Sequence, residues 1–167
     1  MNGINETQVT KDFNNKSILV AREFNAPLKD VWQAFTDSKI LNQWWAPAPW
    51  HAETKYMDFS VGGYWLYAMV GPENEKHWGR MNYEDIDYLK KYAFEDVFSD
   101  EKGNVLSDLP ASKGTAEFSE ISAGTKVEFK TFYESEEDLK KMVEMGFEQG
   151  IKICFDQLQS LFKKQAI

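Results

Sequence analysis

Residues 136–164 read EEDLKKMVEMGFEQGIKICFDQLQSLFKK, and the fold follows from what this stretch requires of the rest of the chain. Ser135 stands where a helix N-cap is expected, with Asp138 three residues on and Glu136 and Glu137 adding negative charge at the positive helix end. Lys163 and Lys164 suit the opposite end. Leu139, Met142, Val143, Phe147, Ile151, Cys154, Leu158, Leu161 and Phe162 recur at three- and four-residue steps, with Lys140, Glu144, Glu148, Lys152 and Asp156 opposite them. The pattern predicts one amphipathic helix, roughly 40 Å long at 1.5 Å per residue. A helix of that length needs a broad apolar surface to cover its face. Gly146 and Gly150 lie on that face although each costs about 1 kcal/mol of helix propensity against Ala. Two reasons are open: close packing of the helix backbone on a sheet, or room left for a ligand.

The surface that this helix needs is written upstream. After a polar leader, residues 17–24 (SILVAREF) form a branched-rich strand ended by Asn25-Ala26-Pro27. Leu28, Val31, Trp32 and Phe35 mark a helix begun by Pro27 and ending near Asp37. Ser38 is the expected cap of a second, short helix with Leu41, Trp44 and Trp45 on its buried side, broken by Ala46-Pro47-Ala48-Pro49. From Trp50 onward the period changes to two, and turn signals divide the chain into strands at 50–59, 64–70, 77–86, 92–98, 114–121 and 125–133. In the last of these Thr125, Val127, Phe129, Thr131 and Tyr133 share one face, and Lys126, Glu128 and Lys130 the other. The predicted fold is α+β: a curved seven-stranded antiparallel sheet wrapped around a long C-terminal helix, with two short helices after the first strand.

Composition narrows the function classes. A chain of 167 residues suffices for one domain, assigned to 16–167, behind a flexible polar segment at 1–15. A net charge of −8 without clustered Lys or Arg argues against nucleic acid. No run resembles a signal peptide and none of eighteen apolar residues occurs, so the expected location is cytoplasmic, without stable membrane insertion. Cys154, the one cysteine, falls on the apolar helix face as a small core hydrophobe. His51 and His77 lie at no metal-ligand spacing from another donor, and no Gly-rich phosphate loop precedes a helix, so neither metal nor cofactor is expected. Glu84, Asp85 and Asp87 read as a solvated turn, and no catalytic residue is assigned.

Aromatic residues make up 15% of the chain, more than a minimal core uses. Trp65, Tyr67 and Met69 alternate on one strand and Met81 and Tyr83 on the next, with Trp44, Trp45 and Trp50 just before the sheet. Together with Gly146, Phe147, Gly150, Ile151 and Cys154 of the long helix, they are the candidate lining of an apolar ligand cavity, with Tyr67, Tyr83, Arg22 and Arg80 as polar handles.

Several short stretches, Val20-Ala21-Arg22-Glu23-Phe24-Asn25-Ala26-Pro27, Val31-Trp32, Trp44-Trp45, Gly62-Gly63-Tyr64-Trp65 and Met145-Gly146-Phe147, taken in this order, resemble the heat-shock protein 90 ATPase activator-like family of the START-like (SRPBCC) superfamily. The resemblance spans roughly residues 17–162. It implies a helix-grip fold with a hydrophobic cavity between sheet and helix and the two short helices at its mouth. Two departures stand out: Ser60-Val61 occupies the place of an Arg-Pro pair, and Phe147 that of a Trp. Because one fold hosts many functions, three readings are carried forward. The first is a noncatalytic module for a small hydrophobic or aromatic molecule such as a lipid or polyketide. The second is a cyclase- or hydrolase-like enzyme in the same cavity, marked by a polar residue inside it without a structural partner. The third is a chaperone-cofactor-like protein-interaction domain, marked by exposure of Trp44 and Trp45.

Overall fold

The computed structural model describes residues 6–165. The strands run β1 (Gln8–Asp12), β2 (Ser17–Phe24), β3 (His51–Met57), β4 (Tyr64–Val70), β5 (Lys76–Asp87), β6 (Lys91–Ser99), β7 (Ser112–Ile121) and β8 (Gly124–Tyr133). The helices are α1 (Leu28–Thr36), α2 (Ser38–Trp44), α3 (Glu136–Glu144) and α4 (Phe147–Gln165). The strands form one open sheet in the order β1-β2-β8-β7-β6-β5-β4-β3, with every neighbouring pair antiparallel. This is an α+β helix-grip arrangement, and the alternation expected on the last strand is the one observed: Thr125, Val127, Phe129, Thr131 and Tyr133 are buried.

Three expectations are corrected. The described sheet has eight strands rather than seven, because Gln8–Asp12, inside the segment read as a flexible leader, pairs along the edge of β2 from Gln8↔Ala21 to Asp12↔Ser17. Residues 1–5 of that leader lie outside the described residues. The strand carries no apolar alternation; backbone pairing, an ion pair from Lys11 to Glu148 at 2.6 Å and the packing of Val9 against the core hold it instead. Second, the C-terminal helix is two helices. Ser135 does cap the first, its hydroxyl accepting from the Asp138 amide at 3.0 Å, but the helix stops at Met145 and Gly146 takes φ +89°. In that left-handed conformation glycine carries no Cβ penalty and the chain can turn before α4 begins. Third, α2 is capped by Asp37, whose carboxylate accepts from the Lys39 amide, and Ser38 is its first residue.

The core is asymmetric along α4. In the C-terminal half Phe155, Leu158 and Phe162 are fully enclosed, with Phe155 edge-on to Phe24 at 5.6 Å, to Trp44 at 5.9 Å and to Phe35 at 6.0 Å. Trp32 of α1 extends this aromatic cluster to Phe118 at 5.0 Å and Tyr92 at 6.0 Å. Burial of rings of this size is the largest apolar contribution that a chain of this composition can make. The N-terminal half of α4 offers the sheet Gly150, Ile151 and Cys154 instead, with Phe147 as its one aromatic residue. No helix among the described residues is long and apolar enough to cross a membrane.

Candidate functional site

Where α4 is thin, a cavity of about 260 Å³ lies between helix and sheet. Its helical wall is Gly146, Phe147, Gly150, Ile151 and Cys154, all of which the sequence assigns to a lining. A Cβ built on Gly150 meets only Pro47 Cγ, at 3.9 Å, so this glycine borders space rather than packed sheet. Trp45, Tyr67 and Met69 complete the expected residues found there. Gly79, opposite Tyr67 in the sheet, makes room for that ring: a Cβ at this position would stand 2.7 Å from the Tyr67 hydroxyl.

Five expected residues lie elsewhere. Trp44 is wholly buried in the aromatic core, its indole donating to the Ala34 carbonyl at 3.0 Å. Trp65 stacks on Tyr67 at 4.1 Å and donates to the Thr54 hydroxyl, so it backs the wall without forming it. Met81 is buried in the sheet face, and Tyr83 is enclosed by Phe59 and Tyr92 at 4.7 and 5.9 Å. Trp50 packs on the His77 ring at 5.4 Å, outside the lining. Of the polar handles only Tyr67 faces the cavity. Arg22 is buried between β2 and α4, hydrogen-bonded to Thr7 and Asp156, while Arg80 lies over the Tyr64 ring at 3.8 Å and donates to Asn82 and the Gly103 carbonyl.

Sequence reasoning missed the one carboxyl of the lining, Asp96. A signal was present: Tyr92, Phe94, Asp96 and Phe98 alternate on β6, and the first two are buried core rings. Cross-strand register sets Asp96 between Met81 and Ser112, in a row that runs on to Trp65 on one side and Tyr133 on the other. Asp96 keeps part of its surface accessible, yet its carboxyl is surrounded by apolar wall. Burial raises its pKa from 3.8 to about 7, and no hydrogen bond or charge from the described residues offsets the loss of water. Burial also pushes the Tyr67 phenol far above its ordinary value, the nearby Asp96 adding to the shift. The Cys154 thiol rises to about 12 for the same first reason.

The exit of α2, expected at the mouth, contributes Trp45 and Pro47 to the lining. The proline-rich exit of α2 is held by Gln157, which donates to the Trp44 and Ala46 carbonyls at 3.2 and 2.9 Å and accepts from the Ala48 amide at 2.8 Å. Across the cavity α3 is lightly anchored: Leu139 is its one fully buried residue, while Met142 and the 51% exposed Met145 reach the lining. His77, also exposed, stands at the rim.

The family model described as Activator of Hsp90 ATPase homolog 1-like protein matches residues 25–163. The chain belongs to this family. Solved structures of two bacterial proteins are similar across nearly the whole chain. Protein Ms6760 from Mycobacterium smegmatis is 31% identical over 93% of this chain and 95% of its own, with a TM-score of 0.86. A protein from Arthrobacter aurescens is 31% identical over 94% and 91%, with a TM-score of 0.88. The AHSA1 protein SPO3351 from Silicibacter pomeroyi, 16% identical over 89% of this chain and 99% of its own at a TM-score of 0.70, shares the fold. No curated protein matches the chain. Membership in the Activator of Hsp90 ATPase homolog 1-like family agrees with the helix-grip arrangement and leaves the role to be argued from the cavity.

Proposed function

We propose that the protein is a binding module that encloses a small hydrophobic or aromatic molecule between the first half of α4 and the sheet. The observation that carries this reading is the 260 Å³ space itself, walled by rings, methionines and small helix residues where the other half of the same helix is filled with aromatics. A dense core leaves no such void, and ligand sites are mostly apolar with a few polar groups.

The enzyme reading draws on Asp96, a polar group in the cavity without a protein partner. Binding is favoured over it because no residue of the lining activates another: the Cys154 thiol is held protonated by burial, and no base is hydrogen-bonded to it or to Asp96. The protein-interaction reading loses its marker, since Trp44 and Trp45 are 0% and 7% exposed.

The test is a two-dimensional amide spectrum titrated with a panel of neutral fused-ring compounds. A ligand of the cavity shifts amides of residues 147–154 and 64–79 together. Shifts confined to the outer sheet face, or no binding below millimolar concentration, would overturn the reading.

A further inference from the structure

We propose that the ligand of this cavity carries a cationic nitrogen, an ammonium or amidinium group on an aromatic body, and that Asp96 is the residue that pairs with it. The inference rests on the binding-module reading and names the chemical class of its ligand. Across the concave sheet face the row Trp65, Met81, Asp96, Ser112, Tyr133 holds a single charged residue, and that residue faces the cavity. No Lys, Arg or second carboxyl lines the space with it.

The charge balance decides between ligand classes. A carboxylate ligand, such as a fatty acid, would place a second negative charge beside Asp96 with no Lys or Arg of the lining to accept it, at a cost that rises as water is excluded. A cationic ligand supplies the partner that the fold withholds. The walls suit the same group: Trp45, Tyr67 and Tyr133 line the cavity together with Asp96, and aromatic rings attract ammonium groups as well as apolar bodies. The net charge of −8 draws cations rather than anions toward the mouth.

Proton balance adds a signature. With no ligand bound, burial keeps Asp96 half-protonated at about pH 7, so a cation must displace a proton at lower pH and none at higher pH. The other titratable groups of the lining are Tyr67 from β4, His77 from β5, Tyr133 from β8 and Cys154 from α4. Tyr67, Tyr133 and Cys154 are all pushed upward by burial, the last two to about 12, and stay neutral to pH 8.5. His77 at the rim is controlled by substitution.

The experiment measures calorimetric affinity for three probes of one shape: 2-(2-naphthyl)ethylamine, 2-(2-naphthyl)ethanol and 2-naphthylacetate. Wild-type protein at pH 8 is expected to bind the amine about tenfold or more tightly than the alcohol, as a charge-assisted hydrogen bond predicts, and the carboxylate most weakly. Asp96→Asn should abolish the preference while still binding the alcohol. In wild type and in His77→Gln alike, the amine-to-alcohol ratio should rise between pH 5.5 and 8.5. That profile tests the proposal even where Asp96→Asn folds poorly. An alcohol that binds as well as the amine, a ratio that is flat with pH, or an Asp96→Asn protein that keeps the amine preference overturns the cation proposal and leaves the binding module standing. If none of the three probes binds, both fall.

Discussion

Gly146 and Gly150 stand four residues apart on what the sequence presents as one helix face, and substitution of each by Leu should move stability in opposite directions. At Gly150 the backbone is ordinary helix, and the new Cβ meets only Pro47 Cγ at 3.9 Å. Replacing glycine there recovers up to about 1 kcal/mol of helix propensity, and part of the isobutyl group exchanges water for the apolar cavity wall. The expected net gain is about 1–2 kcal/mol, a rise in Tm of roughly 2–6 °C for a chain of this size. At Gly146 a Cβ also finds open space, its nearest contact being Gln149 Oε1 at 3.9 Å, but φ is +89°. An L side chain in that region costs roughly 1–2 kcal/mol. Urea melts of the two variants should therefore differ by about 2–4 kcal/mol, and Gly150→Leu should lose every ligand that wild type binds in the cavity. A Gly150→Leu protein destabilised by more than about 1 kcal/mol, as overpacking of a dense core would produce, and still able to bind those ligands would falsify the cavity drawn beneath α4.

Asp96 links stability to pH with a definite sign. Its folded pKa, about 7, lies above the ordinary 3.8, so the folded state holds an extra proton between these values and loses that stabilisation as pH rises through 7. Asp96→Asn should thus stabilise the protein by roughly 1–3 kcal/mol at pH 8 and by clearly less at pH 5, and equal effects at both pH values in urea melts would refute the assigned burial. Gln157→Ala removes three hydrogen bonds from the exit of α2; it should cost about 1–3 kcal/mol and speed exchange of the Ala48 amide, and an unchanged Ala48 rate would show that the segment is held otherwise. Amides of α3 should exchange faster than those of the Phe155–Phe162 part of α4 and slow when ligand is present, since one buried leucine anchors the shorter helix; slow exchange in α3 without ligand would argue against an entrance there.

Much of the fold was legible because its elements obey one-dimensional patterns. Thr125, Val127, Phe129, Thr131 and Tyr133 alternate in sequence and are buried in space, and Ser135 and Asp138 announce a helix start that the hydroxyl and amide then make. Two of the three misreadings have a common cause in patterns that do not require the structure they accompany. Apolar spacing runs from Leu139 through Phe147 to Phe162 without a gap, and a single left-handed residue breaks the helix without disturbing that spacing. Gln8–Asp12 has a single apolar residue, Val9, too little to mark a strand by alternation; it pairs along the edge of β2, which offers unpaired amides and carbonyls.

The site divides along a different line. Trp45, Tyr67, Gly150 and Cys154 were legible because each lies on an apolar face whose direction is set by period alone, whereas Trp65 and Met81 share the same faces and back the wall or fill the core. Which part of a concave sheet stays uncovered depends on what the helix carries opposite it. On α4 that content changes midway, from Gly150 and Cys154 to Phe155, Leu158 and Phe162, and the large residues find Phe24, Phe35 and Trp44 to close against. The small ones find a sheet row with Asp96 at its centre. A carboxyl in register with Tyr92, Phe94 and Phe98 is a costly thing to bury in a filled core, where nothing would repay its lost water. At the unfilled end of the helix the same carboxyl lines open space, where the cationic partner we propose would meet it, and the small-residue half-helix and the one acid on the facing strand share that lining.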